Sequence, residues 1–395
     1  MHETLVRLGA WMPFGQDTKF MKEMIGVNIS KSRSVRYTEA AGAAYVKTET
    51  EEAERIEKEA PQAPRGAEKM VMSGDGAMVP LIHGEWAEVK TLVIGEVAPA
   101  VKEKGEMVVH TEKLSYFSRL IDAERFQLLS LVEVQRRGIE NSPKVAMLGD
   151  GSDWIQHLAD YHRQDSLRIL DFPHAGQRVG EIGQALWDND STESGQWITK
   201  KLHQLKHEGP TQLLVELCLL QEKHPDVEML EKNIAYLRKR EAQMQYPGFE
   251  QAGWPIASSI VESANKLVVE VRLKGSGMHW KRENVDPMLA LRNIICSDRW
   301  GTEWSRIVKR LRSQKTLQQK QLREKHGQEK LPAAPILPIP LPKKQACKPA
   351  SEIAETSIQP EAPANPKTQR PAPNHPWRHS PIGRALYSPQ PISKN

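Results

Sequence analysis

Through the middle of the chain, short apolar runs alternate with polar turn residues, and further on the apolar positions switch to a three-and-four spacing. EKMVMSGD, which ends on Asp75, reads as a strand, and WAEVKTLVIGEVAP (86–99) and KGEMVVHTE (104–112) read as two more joined by turns. YFSRLIDAERFQLLSLVEVQRRG (116–138) has the period of an amphipathic helix. A strand KVAMLGD (144–150), a helix DWIQHLADYH (153–162) and a strand SLRILDF (166–172) follow. Three antiparallel strands, a helix, then strands separated by a helix predict an α/β fold, a mixed sheet with helices on its faces. From His174 to about Met244 the pattern is helical throughout, an all-α insertion at about 175–245. IASSIVESANKLVVEVRLKGSGMHW (256–280) then resumes with a helical segment that holds Glu262.

The two ends differ from the middle. DTKFMKEMIGVNISKSRSVRYTEAAGAAYV (17–46) reads as helix, turn, helix: Phe20, Met24 and Ile25 form the first stripe, and Ser30 or Ser32 caps the second helix. Val35, Ala40 and Ala43 would face inward, with Arg33, Arg36 and Thr38 outward. The pattern is compatible with a helix-turn-helix and equally with ordinary paired helices. Residues 1–60 thus form a helical segment, Glu49 to Glu59 being an acidic helix or linker, with PQAPRG (61–66) as a boundary before a domain at 68–300. Residues 301–330 form a basic helix, nine Lys or Arg (among them Arg306, Lys309, Arg310 and Arg312) against Glu303, Glu324 and Glu329. Such a run is either a solvated face or an arm that contacts phosphates. Residues 331–395 are rich in Pro, Ala, Ser and Gln and too poor in periodic apolar positions to offset chain entropy, so a disordered tail is expected there.

Composition changes this picture little. A formal charge of +5 and an isoelectric point near 8.9 permit a nucleic-acid partner without demanding one. Cys218, Cys296 and Cys347 stand far apart with no CxxC pair, against a disulfide framework or a structural zinc site. No apolar run is long enough for a membrane span, and MHETLVRLGAWMPFG lacks a basic start followed by an apolar core, so the expectation is a cytoplasmic protein.

Candidate chemistry lies at two strand tips. Asp75 in SGDG and Asp150 in LGDG occupy matched settings. If their strands are parallel neighbours, the two carboxylates sit about 4.8 Å apart and are costly without a cation between them. Magnesium or manganese takes such oxygen ligands, and Glu262 is the candidate third acid. Two ions held in this way activate an attacking oxygen and stabilise a leaving one, which gives an RNase H-like metal site. Taken singly, each Asp-Gly is also a common turn signal.

SGDGAMVPL with HGEWAEVK, VAMLGDGSDWI, ILDFPHA and SSIVESANKLVVEVRLKGSGMHW together resemble the DDE transposases of bacterial insertion sequences, most closely the ISKra-type group among Mutator-like elements. The resemblance covers roughly residues 70–300. It implies Asp75, Asp150 and Glu262 as catalytic acids and metal ligands for Mg2+ or Mn2+, with a helical insertion before the glutamate. It maps Asp171 and His174 onto the family's D/C-x-x-H motif, where Asp171 either orients His174 or merely caps a helix. It implies double-stranded DNA at element ends and target as partner, a homo-oligomer on that DNA, and a nucleoid-associated protein. Residues expected to contact DNA are Arg33, Arg36, Lys200, Lys201, Arg238, Lys239, Arg240, Arg306, Lys309, Arg310, Arg312, His279 and Trp280. Trp154, inside an amphipathic helix, is expected in the core. The short region before the first strand departs from the family and implies either a truncated chain or a misassigned start codon, which bears on end recognition more than on chemistry. The alternatives are an RNase H-like nuclease or resolvase without strand joining, and an inactive or domesticated DNA-binding derivative.

Overall fold

The computed structural model describes residues 1–103, 106–187 and 191–328. The expected disordered tail at 331–395 lies outside the described residues. Three helices open the chain: α1 (His2–Trp11), α2 (Phe14–Ile25) and the long α3 (Lys31–Glu59). A five-stranded sheet follows, built from β1 (Lys69–Pro80), β2 (Trp86–Val97), β5 (Thr111–Arg119), β6 (Lys144–Gly149) and β7 (Leu167–Leu170). Its order is β5-β2-β1-β6-β7. β1 and β2 are antiparallel, as are β2 and β5, while β6 runs parallel to β1 and β7 parallel to β6. Helix α4 (Ala123–Arg137) crosses from β5 to β6, and α5 (Asp153–His162) from β6 to β7.

Period-two alternation explains why the central strands read as unbroken apolar runs. Met70 and Met72 of β1, with Val145 and Met147 of β6, pack against α4 and α5. Val71, Ala146 and Leu148 point the other way, into a core shared with the insertion helices. A strand buried on both faces has no polar side to show. The insertion comprises α6 (Phe172–Leu186), α7 (Thr192–His207), α8 (Pro210–Lys223), α9 (Glu228–Lys239) and α10 (Tyr246–Gln251). Next, α11 (Ser259–Ala264) runs into a π-helical stretch (Asn265–Glu270) and on into α12 (Val271–Leu273). Then α13 (Arg282–Cys296) packs on α3 so closely that a Cβ on Gly42 would strike the backbone of Pro287. The chain's last described element is α14 (Trp300–Gln328).

Several expected boundaries moved. β1 does not end at Asp75 but continues to Pro80, because β2 pairs with it along its whole length, Asp75 opposite Thr91. The third strand of the sheet is 111–119 rather than 104–112. The earlier stretch contributes only the hairpin of β3 (Val101–Glu103) and β4 (Glu106–Val108). Helix α4 accordingly starts at Ala123, where Asp122 caps it, and not at Tyr116. Ser30 caps α3 as expected. Its inward face is one residue out of register with the expectation: Ser34, Thr38, Ala41 and Ala44 are buried, while Ala40 and Ala43 are exposed. The acidic stretch from Glu49 is the second half of that same helix.

Candidate functional site at the tips of the parallel strands

The last parallel pair between β1 and β6 is Ser73 with Leu148. Two residues further along each strand the pleat returns to the same face, which sets Asp75 beside Asp150. Asp75 accepts from the Gly76 N–H at 2.7 Å through Oδ1 and from the Asn265 side chain at 2.8 Å through Oδ2. Burial pushes the Asp75 carboxyl up from the ordinary range; the Gly76 and Asn265 bonds work against that, and the charge of Asp150 adds to it. Asp150 folds back to accept from Ser152 N–H at 2.8 Å.

A histidine joins the two acids. Asp171 caps α6, with Pro173 in the first turn, and is fully buried. One of its oxygens accepts from the Ser258 N–H, and the other lies 2.6 Å from His174 Nδ1. The bond to Asp171 pushes the His174 imidazole up from its ordinary value against the effect of burial, and the charges of Asp150 and Asp75 push in the same direction. Capping and orienting are thus both performed by Asp171. Holding Nδ1–H on a carboxylate leaves Nε2 as the working nitrogen.

The loop that carries Asp150 is clamped from α9. Tyr236 donates its hydroxyl to the carbonyl of Asp150, and Arg240 donates to the carbonyl of Gly151 through Nε at 3.1 Å and Nη2 at 2.5 Å. The Arg240 guanidinium stacks 3.8 Å from the Tyr236 ring centroid, and Arg178 approaches the same ring at 4.8 Å. Gly151 has φ +79°, and a Cβ there would strike Arg240 and the Tyr236 hydroxyl.

Of the three expected acids, Asp75 and Asp150 come together, and the three do not form a closed ligand set. Glu262 lies exposed on α11, and among the described residues no three His, Cys, Asp or Glu side chains gather as a metal-binding group. Asn265, three residues on and therefore on the same helix face, is the side chain that reaches Asp75. The two aspartates by themselves suit a magnesium-type ion, which commonly takes one or two protein carboxylates plus substrate oxygens. Burial, with a smaller share from Asp150, raises the Asp75 carboxyl, and a cation bound there would oppose both.

The expected DNA contacts divide. Arg33, Arg36, Lys200, Arg238, Lys309, Arg312 and His279 are exposed. Lys239 is exposed too and lies 3.4 Å from Asp153. Lys201 is buried against Glu216 and Gln204, Arg240 is buried in the clamp, and Trp280 is a core residue whose indole N–H bonds the Leu273 carbonyl at 3.1 Å. Arg306 and Arg310 are taken up by Glu52 and Glu51 of α3. Trp154 packs edge-on to Phe126 in the core beneath α5, as expected.

Sequence reading missed Asn265, Ser258 and Tyr236, and did not foresee that Arg240 would be buried on the Gly151 carbonyl. The three-residue spacing from Glu262 to Asn265 was a usable signal. Nothing in the sequence linked Tyr236 to a loop 86 residues earlier. The chain matches no family model and none of the curated proteins with which it was compared.

Proposed function

We propose that the protein is a DDE-type DNA transposase on an RNase H-like core, cutting DNA at element ends and joining them to a target. The observation that carries this reading is the placement of Asp75 and Asp150 side by side on adjacent parallel strands, facing His174. A sheet with three antiparallel strands, the first of them parallel to two more, is the arrangement an RNase H-like fold requires, and it supports the same reading. Magnesium or manganese bound there supplies Lewis-acid polarisation of the phosphodiester and an attacking oxygen at neutral pH, with Asp75 and Asp150 as the residues that hold it. Glu262, one turn before Asn265, would be the third carboxylate of that ligand set. His174, held by Asp171, keeps a proton on Nδ1 and presents Nε2 to a phosphate oxygen. The exposed Lys and Arg side chains hold the DNA backbone and fix its register.

The exposure of Glu262, with no three-ligand group among the described residues, favours a second reading, a DNA-binding derivative without strand chemistry. One experiment decides. A labelled duplex carrying the sequences that flank the gene is incubated with the protein and magnesium or manganese, with Asp150→Ala alongside. Joined products that vanish in the variant are expected. Cleavage without joining would replace the transposase with a nuclease, and tight binding without reaction would leave the second reading.

A further inference from the structure

Away from the strand tips, a cavity of about 370 Å³ opens where three helices begin. Pro13 and Phe14 start α2, Lys31 starts α3 and Lys281 precedes α13, and all four line it. Neither α2 nor α13 has a side-chain cap, so their first N–H groups lack one kind of partner, and each helix carries one acid in its first turn, Asp17 and Glu283. Arg272 lines the same cavity. It is 1% exposed, wedged between the rings of Phe14 at 4.7 Å and Trp280 at 5.0 Å. Its Nε bonds the carbonyl of Gly9 at 3.0 Å, and its Nη2 is buried with no hydrogen-bond partner among the described residues.

A buried guanidinium with an idle donor is costly, since each unmade bond forfeits the desolvation already suffered. Charge balance around it is also incomplete. Burial and the neighbouring Arg292 push Arg272 down to about 10, and Asp17 only partly opposes them. Burial raises the Asp17 carboxyl in turn. Glu39 is the one acid lining the cavity, and burial raises it as well, against the pull of Lys281. Two lysines and a half-satisfied arginine line the cavity against Glu39, and Lys281 lies 3.9 Å from Glu283.

We propose that this cavity is a phosphate-binding site, in which Arg272 in its wall and Lys31 and Lys281 at its rim hold the phosphate of a nucleotide. Its volume falls within the roughly 300–1,000 Å³ of ligand pockets and leaves room for a group attached to the phosphate. Arginine supplies the planar donor pair that phosphate oxygens match, and the lysines act as point charges. The site is independent of the reading of Asp75 and Asp150. The phosphate belongs either to a free nucleotide or to the end of a DNA strand.

Isothermal titration of the full chain with dAMP, inorganic phosphate and deoxyadenosine tests the site. Binding of dAMP, none of deoxyadenosine, and about tenfold or greater weakening in Lys31→Ala/Lys281→Ala are expected. Glu39→Gln should tighten dAMP binding by removing the opposing charge. Arg272→Gln should abolish it, with melting measured alongside because that variant also loses a buried bond. Failure of both dAMP and phosphate to bind, or unchanged affinity in the double lysine variant, overturns the proposal. A 5′-phosphorylated oligonucleotide that binds more tightly than its 5′-hydroxyl twin assigns the phosphate to a strand end. Equal binding of the two, with dAMP retained, assigns it to a free nucleotide.

Discussion

At Asp75 the chemistry of one carboxyl can be separated from its structural cost. Its folded-state pKa is raised by burial and by Asp150, so the charge at neutral pH works against folding. The stabilising contribution is present below the unfolded value and lost as pH rises through the folded one. Asp75→Asn should therefore raise the melting temperature at pH 7 without divalent metal while abolishing cleavage. The new amide can be accommodated, because the Oδ1 of Asn265 is buried without a partner among the described residues and a flip of that side chain offers it as acceptor. Magnesium should raise the melting temperature of the parent and not of the variant; an equal rise in both would remove Asp75 from the metal site. His174 has the same sign for a different reason. Its bond to Asp171 favours the charged imidazole, so its contribution is full below about pH 6.5 and disappears as pH rises through the folded value. Its ring resonances, followed by NMR, should titrate above the ordinary value and fall back in Asp171→Asn. That variant should also lose about 1–3 kcal/mol, since Asp171 holds the N–H groups of Ser258 and His174 without access to water.

Among the elements, the loop after β6 is where insertion and sheet meet, and it makes the function of the insertion testable. Tyr236 and Arg240 bind backbone carbonyls of Asp150 and Gly151, so α9 fixes the height of Asp150 without touching its carboxylate. Gly151→Ala puts a side chain at positive φ and against Arg240, and should cost about 1–3 kcal/mol. Activity should fall further than stability accounts for, which is measured at a temperature where the variant stays folded. The same elements show what sequence could and could not convey. Both aspartates were legible because a short apolar run leads into each glycine-flanked acid, and β1 and β6 are the parallel neighbours that the metal-site expectation assumed. The extension of β1 past Asp75 was not, since Ala77, Val79 and Leu81 gain meaning only when α13 and the α11–α12 segment cover them. Helix α3 was legible as a helix, but its face was misjudged by one position, because Ala occurs at 40, 41, 43 and 44 and periodicity alone cannot rank them. Charge alone could not show that Arg240, Lys201, Arg306 and Arg310 are engaged by carbonyls and carboxylates that only the tertiary fold supplies.

Across the whole molecule, the N-terminal helices, the sheet and the C-terminal helices are joined by a buried network of charge. Glu133 on α4 receives Arg299, which lies just before α14, in a two-pronged pair at 2.7 and 2.8 Å, and Arg136 at 2.7 Å. Glu49 on α3 pairs with Arg119 at the end of β5. The two acids shift in opposite directions. Burial works to raise both, yet two arginines pull the Glu133 carboxyl down to about 2, whereas Glu49 with its one direct partner stays raised. Opposite signs mean opposite pH windows. The contribution of Glu49 is present in acid and lost as pH rises through its folded value. The contribution of Glu133 is present above its ordinary 4.5 and lost as pH falls through about 2. The linkage for Glu133 amounts to a contribution on the order of 3 kcal/mol at neutral pH. Glu133→Gln should lose stability of that order at pH 7, more if the arginines are left unpaired. Urea unfolding at pH 7 and pH 3 tests the assignment. The parent should lose stability between those points by more than the variant does. Parallel losses in the two proteins would place the acid sensitivity of the fold elsewhere than at the junction of α4 and α14.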